Sequence, residues 1–162
     1  MTNRPAARVL LVDAAGRILL FRGCDPAVPG VSWWFTPGGG LDAGETPAQG
    51  AARELFEETG LRVDPAELGE PVWHQVIEFS YDHRWYRQDQ EFFLLRVEGW
   101  QVDTRGFEEA ERQSIEGHHW WSLADLDATD EDVYPEGLAD LVRRLLADAA
   151  AAQVDAAPQG GL

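Results

Sequence analysis

Apolar positions fall first into two short runs, Arg8 to Val12 and Arg17 to Phe21, separated by Asp13-Ala14-Ala15-Gly16. Runs of that length around a turn-forming tetrapeptide predict two strands of a hairpin. Beyond a loop from Gly23 to Gly30, Trp33-Trp34-Phe35-Thr36 predicts a short strand, stopped by Pro37 and three glycines. The next segment carries helix punctuation: Thr46 as N-cap, Pro47 at the first helical position and Gln49 to close a capping box. This helix should end near Thr59, where Gly60 supplies a left-handed cap. Two segments rich in aromatic and β-branched residues, about Val72 to Tyr81 and Tyr86 to Val97, predict a long hairpin around Asp82-His83-Arg84. Glu98 to Glu116 reads as an acidic loop and His118 to Trp121 as a strand. Pro135 to about Ala147 reads as a helix with Leu138, Leu141, Val142 and Leu145 on one face.

Strands interleaved with two helices give a mixed α/β chain of the α+β kind. Its 162 residues suit a single domain, expected over residues 1–150, with a disordered tail over 151–162. No internal repeat is visible. The longest early apolar run, Val9 to Val12, is too short for a signal-peptide core or a membrane span, so a cytoplasmic protein with no membrane partner is expected. The lone cysteine, Cys24, has no partner for an internal disulfide and reads as a packing residue.

The formal net charge of −16 disfavours a DNA or RNA grip built on phosphate neutralisation. An acidic protein that acts on an anion needs a local inversion of the field, which a divalent cation supplies. All 13 basic residues are arginine, which removes Schiff-base chemistry and the lysine-dependent phosphate loop. Glu54, Glu57 and Glu58 stand at i, i+3 and i+4 and so share one stripe of the predicted helix, in its last turns. Negative charge there opposes the helix dipole, and hard carboxylate oxygens select magnesium or manganese over zinc. The competing reading is a solvated acidic helix face. The glycine loop before the helix favours the site, because backbone and carboxylates can converge there on a diphosphate.

From Gly39 the chain runs five residues to Glu45, seven more to Arg53-Glu54-Leu55, then Phe56, Glu57-Glu58, Thr59 and Gly60-Leu61. This segment resembles the Nudix hydrolase signature, G-x5-E-x7-R-E-U-x-E-E-x-G-U with U apolar, and departs from it at no position. A chance match of this kind is on the order of one in a million. The resemblance implies the Nudix fold, a mixed sheet between helices, and magnesium- or manganese-dependent cleavage of a diphosphate linkage in a nucleoside diphosphate derivative. It implies Glu57 and Glu58 as metal ligands, Glu54 as a ligand or the residue that orients and deprotonates water, and the Gly38 carbonyl in the metal shell. Gly39 and Gly40 would meet substrate. Glu45 and Arg53 would brace the loop against the helix; otherwise Arg53 is an ordinary i,i+4 partner of Glu57.

Family members often add a glutamate from downstream. Glu91, Glu111 and Glu116 are the candidates, with Glu91 favoured because it opens the run Phe92-Phe93-Leu94-Leu95. Arg22 reads either as a substrate-phosphate contact or as a surface arginine. Of the tryptophans, Trp33, Trp34, Trp73, Trp85, Trp120 and Trp121 offer stacking surfaces, most of them expected in the core. His74, His83, His118 and His119 lack metal-ligand spacing with cysteine and are read as structural. A small-molecule nucleotide is the expected partner, ranked as nucleoside triphosphates or diphosphates first and ADP-ribose-like compounds second, and homodimerisation stays open. Two other functions compete: a Nudix-like nucleotide-binding regulatory domain, and an isopentenyl diphosphate isomerase using a cysteine and a glutamate.

Overall fold

The structure, a computed structural model, describes residues 1–156. Strand β1 (Thr2–Val12) and β2 (Ile18–Cys24) form the expected hairpin, closed by Asp13, whose carboxylate accepts from the amides of Ala15 and Arg17. The third strand, β3 (Ser32–Phe35), pairs with β2. The three glycines form β4 (Gly38–Gly40), antiparallel to β1. Helix α1 (Pro47–Thr59) follows with the N-cap, capping box and left-handed Gly60 that the sequence predicts. A 3-10 turn (Pro65–Leu68) leads to β5 (Trp73–Tyr81) and β6 (Arg84–Arg96), the long hairpin.

The acidic stretch is not all loop. It contains α2 (Glu109–Ser114), capped by a reciprocal Glu108–Glu111 box, and runs directly into β7 (Ile115–Trp121), which is longer than predicted. The short α3 (Leu123–Ala128) and β8 (Val133–Tyr134) precede α4 (Leu138–Ala156). Helix α4 starts three residues later than expected, after Gly137, and continues past Ala150 into the stretch predicted to be a disordered tail. The part of that tail at 157–162 lies outside the described residues.

The strands make one mixed sheet in the order β5-β6-β1-β2-β3-β8, with β4 also on β1 and β7 also on β2. Alternation along the central strands supplies both of its faces. Ala7, Val9, Leu11, Leu19, Phe21 and Phe93 bury against Ala51, Ala52 and Leu55 of α1. Leu10, Val12, Ile18, Leu20 and Phe92 bury against Leu138, Leu141 and Val142 of α4. Each of the larger of these side chains contributes about 1.5–3 kcal/mol when fully buried, so two helices on two faces hold the sheet as the middle layer. Among the described residues, no helix is long and apolar enough to cross a membrane.

The sheet is split where the site lies. At Val12 strand β1 pairs with β2, but over Ala6–Arg8 its partner is β4. In between, the Val9 amide donates to the Pro37 carbonyl at 2.9 Å. Gly38 lies in this gap with φ +137, and a Cβ there would fall 2.2 Å from the Ala7 carbonyl oxygen. Only glycine lets β4 approach β1 so closely.

Candidate active site

Helix α1 delivers its acidic stripe beneath β4. The Gly38 amide donates to Glu58 Oε1 at 2.8 Å, and a Cβ on Gly39 would lie 2.8 Å from Glu54 Oε1, so the glycine strand rests directly on the two carboxylates. Carboxylate oxygens of Glu54, Glu58 and Glu111 come within 4.8 Å of one another. Helix α2 brings in the third. Of the expected trio Glu54, Glu57 and Glu58, the first and last belong to this group, while Glu57 on the same stripe accepts from Arg53 Nη1 at 3.3 Å, the nitrogen that also donates to Glu54 at 3.1 Å.

Of the three downstream candidates, Glu111 is the one that joins this group. Glu91 stays on β6 opposite Ala7 and His74, outside the cluster, and Glu116 accepts from Ser32 and pairs with Arg22 at 3.5 Å. Glu111 takes the place because the loop before α2 is fastened to the end of α1. Trp100 Nε1 and the Asp103 amide donate to the Thr59 carbonyl, and Gly106 lies so close that a Cβ would be 2.7 Å from the Glu57 carbonyl oxygen.

Burial raises the pKa of all four acids. Glu54 is pushed up to about 7, with Arg53 opposing and the neighbouring Glu111 and Glu57 adding to the rise. Glu58, 2% exposed, is raised well above the ordinary carboxylate range by burial and then by the charge of Glu54. Glu111 and Glu57 are raised too, both chiefly by burial. A donor set made only of hard oxygens, crowded until its members resist ionisation, fits a magnesium- or manganese-type cation.

Arg53 organises the rim. Its guanidinium meets Glu45 through two parallel bonds of 2.8 and 3.0 Å, the Gly40 carbonyl at 3.0 Å, Glu54 at 3.1 Å and Asp42 at 3.2 Å. This is a brace between glycine strand and helix, far beyond a single i,i+4 pair with Glu57.

The family model of the NUDIX domain matches residues 2–145. The chain belongs to the Nudix hydrolase family. An RNA pyrophosphohydrolase of Teredinibacter turnerae is 30% identical over 153 residues, covering 86% of this chain and 85% of that protein. Another, from Novosphingobium aromaticivorans, is 38% identical over 113 residues, covering 63% of this chain and 67% of its own length. Against further RNA pyrophosphohydrolases the chain spans 62% to 65% of the relatives' length. The crystal structure of a MutT NUDIX hydrolase from Burkholderia pseudomallei shares the fold, with TM-score 0.60, 20% identity and coverage of 86% of this chain and 96% of that one. Membership of this Nudix family and these relatives make the chain a hydrolase of the pyrophosphatase class.

The other predicted positions lie apart from the cluster. Arg22 sits over the Trp34 ring at 6.0 Å and beside Glu116. Cys24 closes β2 with its sulfur toward the Gln113 carbonyl and beside the Glu116 carboxylate, outside the Glu54, Glu58 and Glu111 group. Trp34, Trp73 and Trp121 pack with the α4-side core and Trp120 with the α1-side core, whereas Trp85 is 59% exposed. His74 pairs with Asp89, His118 and His119 lie edge-on to aromatic rings, and His83 occupies the β5–β6 turn at positive φ.

Proposed function

We propose that the chain hydrolyses a diphosphate linkage in a nucleoside diphosphate derivative, using magnesium or manganese held by Glu54, Glu58 and Glu111, with Gly39 and Gly40 against the substrate. The observation that carries this reading is the convergence of those three carboxylates beneath the Gly38 amide. A bound divalent ion would neutralise the diphosphate and lower the pKa of an attacking water. On this reading Glu54 takes the proton, Arg53 and Glu45 hold the glycine strand in register with the helix, and the Gly38 carbonyl completes the ion's shell.

Nucleoside triphosphates and diphosphates are the leading substrates, with ADP-ribose-like compounds second. The RNA pyrophosphohydrolase relatives favour another reading, the triphosphate end of an RNA. The net charge of −16 opposes a grip along an RNA backbone, so recognition would be confined to the terminal nucleotide. Turnover of a panel of nucleotides and a 5′-triphosphorylated RNA, with and without chelator, tests both. Hydrolysis in heavy-oxygen water should place the label on phosphorus. Label on a sugar carbon, or undiminished turnover in excess chelator, overturns the reading.

A further inference from the structure

We propose that Arg8 is an anion contact of this site, its guanidinium receiving a phosphate oxygen of the substrate beside the carboxylate cluster. The inference rests on the diphosphate-hydrolase reading and adds a residue outside the Gly39–Leu61 segment.

Of the arginines, only Arg4, Arg8 and Arg53 are not exposed. Arg53 meets four carboxylates, at Asp42, Glu45, Glu54 and Glu57. Among the described residues Arg8 has no ion pair. It is held instead by neutral groups: Nε donates to Gln90 Oε1 at 3.0 Å, Nη1 donates to the Thr36 carbonyl at 2.9 Å, and the Phe35 ring lies 5.8 Å away. Gln90 is itself fixed, accepting from Gln88 Nε2 at 2.7 Å and donating to Gln75 Oε1 at 3.0 Å. This carboxamide row is buried, with Gln88 at 0% and Gln90 at 3% exposure. It sets the direction of the guanidinium without supplying an ion pair. Among the described residues Nη2 donates to nothing.

A half-buried cation with no ion pair is costly unless a nearby charge or a ligand offsets it. Here the compensating charge is that of the site. Burial pulls the pKa of Arg8 down to about 10, Glu58 and Glu54 pull it back, and the like charge of Arg4 adds to the fall. Arg8 is thus a full cation at neutral pH. Its position matches the chemistry, because it pairs in register with Gly38, whose amide holds Glu58. A side chain at Gly38 would crowd it, the Cβ falling 3.0 Å from Arg8 Cγ. An oriented guanidinium next to that strand meets the non-bridging oxygens of a diphosphate drawn to the cluster, where a fork of N–H donors suits phosphate.

The experiment is calorimetric titration of magnesium-loaded protein with methylenediphosphonate, a diphosphate that cannot be hydrolysed at its bridge. Wild type is compared with Arg8→Gln, Arg8→Lys and Gln90→Leu, and magnesium affinity is measured separately for each. Arg8→Gln should weaken diphosphonate binding about tenfold or more, and Arg8→Lys and Gln90→Leu by less, with magnesium affinity unchanged. With a nucleotide substrate, KM should rise more than kcat falls, the signature of a lost binding contact. Should Arg8→Gln fail to fold, Arg8→Lys carries the comparison, since it keeps the cation and loses Nη2. Equal diphosphonate affinity in wild type and variants overturns the proposal, as does a parallel loss of magnesium affinity, which would make Arg8 structural. If wild type binds the diphosphonate yet cleaves no nucleotide, the hydrolase reading falls on its own.

Discussion

Arg53 grips Glu45 by two parallel hydrogen bonds, Nε to Oε2 at 2.8 Å and Nη2 to Oε1 at 3.0 Å, while its Nη1 reaches Glu54 at 3.1 Å. One guanidinium therefore ties the loop before α1 to the acid that faces the glycine strand. Lysine cannot reproduce a planar fork. Arg53→Lys should lower kcat about tenfold or more and destabilise the fold by about 1–3 kcal/mol, read by turnover and denaturant titration. Wild-type values for both would show the brace to be dispensable.

Glu58→Gln keeps an oxygen for the Gly38 amide and removes a buried charge. The metal-free variant should melt above the metal-free wild type, because no carboxylate has to be desolvated. It should lose activity about a hundredfold or more if the missing ion contact is worth about 3 kcal/mol at the transition state. Magnesium should raise the wild-type melting temperature and leave that of the variant nearly unmoved. A variant that melts below wild type and answers to magnesium as wild type does contradicts this account.

The pH dependence of metal-free stability follows from Glu54. Its pKa rises from 4.5 unfolded to about 7 folded, so the folded state binds more protons across that interval. Stability from this group is complete below the unfolded value and is lost as pH rises through the folded one, a change on the order of 3 kcal/mol. Metal-free protein should melt higher at about pH 5.5 than at about pH 8, and Glu54→Gln should flatten the slope. Magnesium should reverse the trend, since protons compete with the ion. A metal-free melting temperature that climbs over this range is the contrary result.

Glu111 and Glu91 separate cleanly by experiment. Glu111→Gln should weaken magnesium binding about tenfold, whereas Glu91→Gln, outside the cluster, should leave it as in wild type. Calorimetric titration with magnesium alone decides this without any substrate. The opposite ranking would mean that α2 does not supply a ligand.

The legible parts of this site are its local parts. The ends of α1 are marked by Thr46, Gln49 and Gly60, and the helical period alone puts Glu54 and Glu58 on one stripe. The stripe does not tell how Arg53 bridges its members, donating from one nitrogen to both Glu54 and Glu57. Glu111 is one of three candidates that spacing does not separate, and the strand pattern favours Glu91 over it; its approach depends on contacts between residues distant in sequence, such as Trp100 with Thr59. The one local signal was the acidic capping box of Glu108 and Glu111, easily lost in a run of charges. Strand β4 is not legible in the sequence because three glycines have little strand preference; the free edge of β1 makes them a strand. Arg8 reads from sequence as an ordinary polar flank of a strand, and only the tertiary fold sets it beside Glu58.

The parallel pairing of β1 with β6 also bears on how the chain is made. Arg8 and its carboxamide support Gln90 are 82 residues apart in sequence, and the first strand cannot be flanked on that side until β6 exists. On a ribosome the β1–β2 hairpin and helix α1 emerge early, while β1 keeps an open edge through most of synthesis. Closure of that edge should be the slow, entropy-limited event of folding. A nascent chain cut before Arg84 would hold the whole Gly39–Leu61 segment and yet expose a strand able to pair with another molecule.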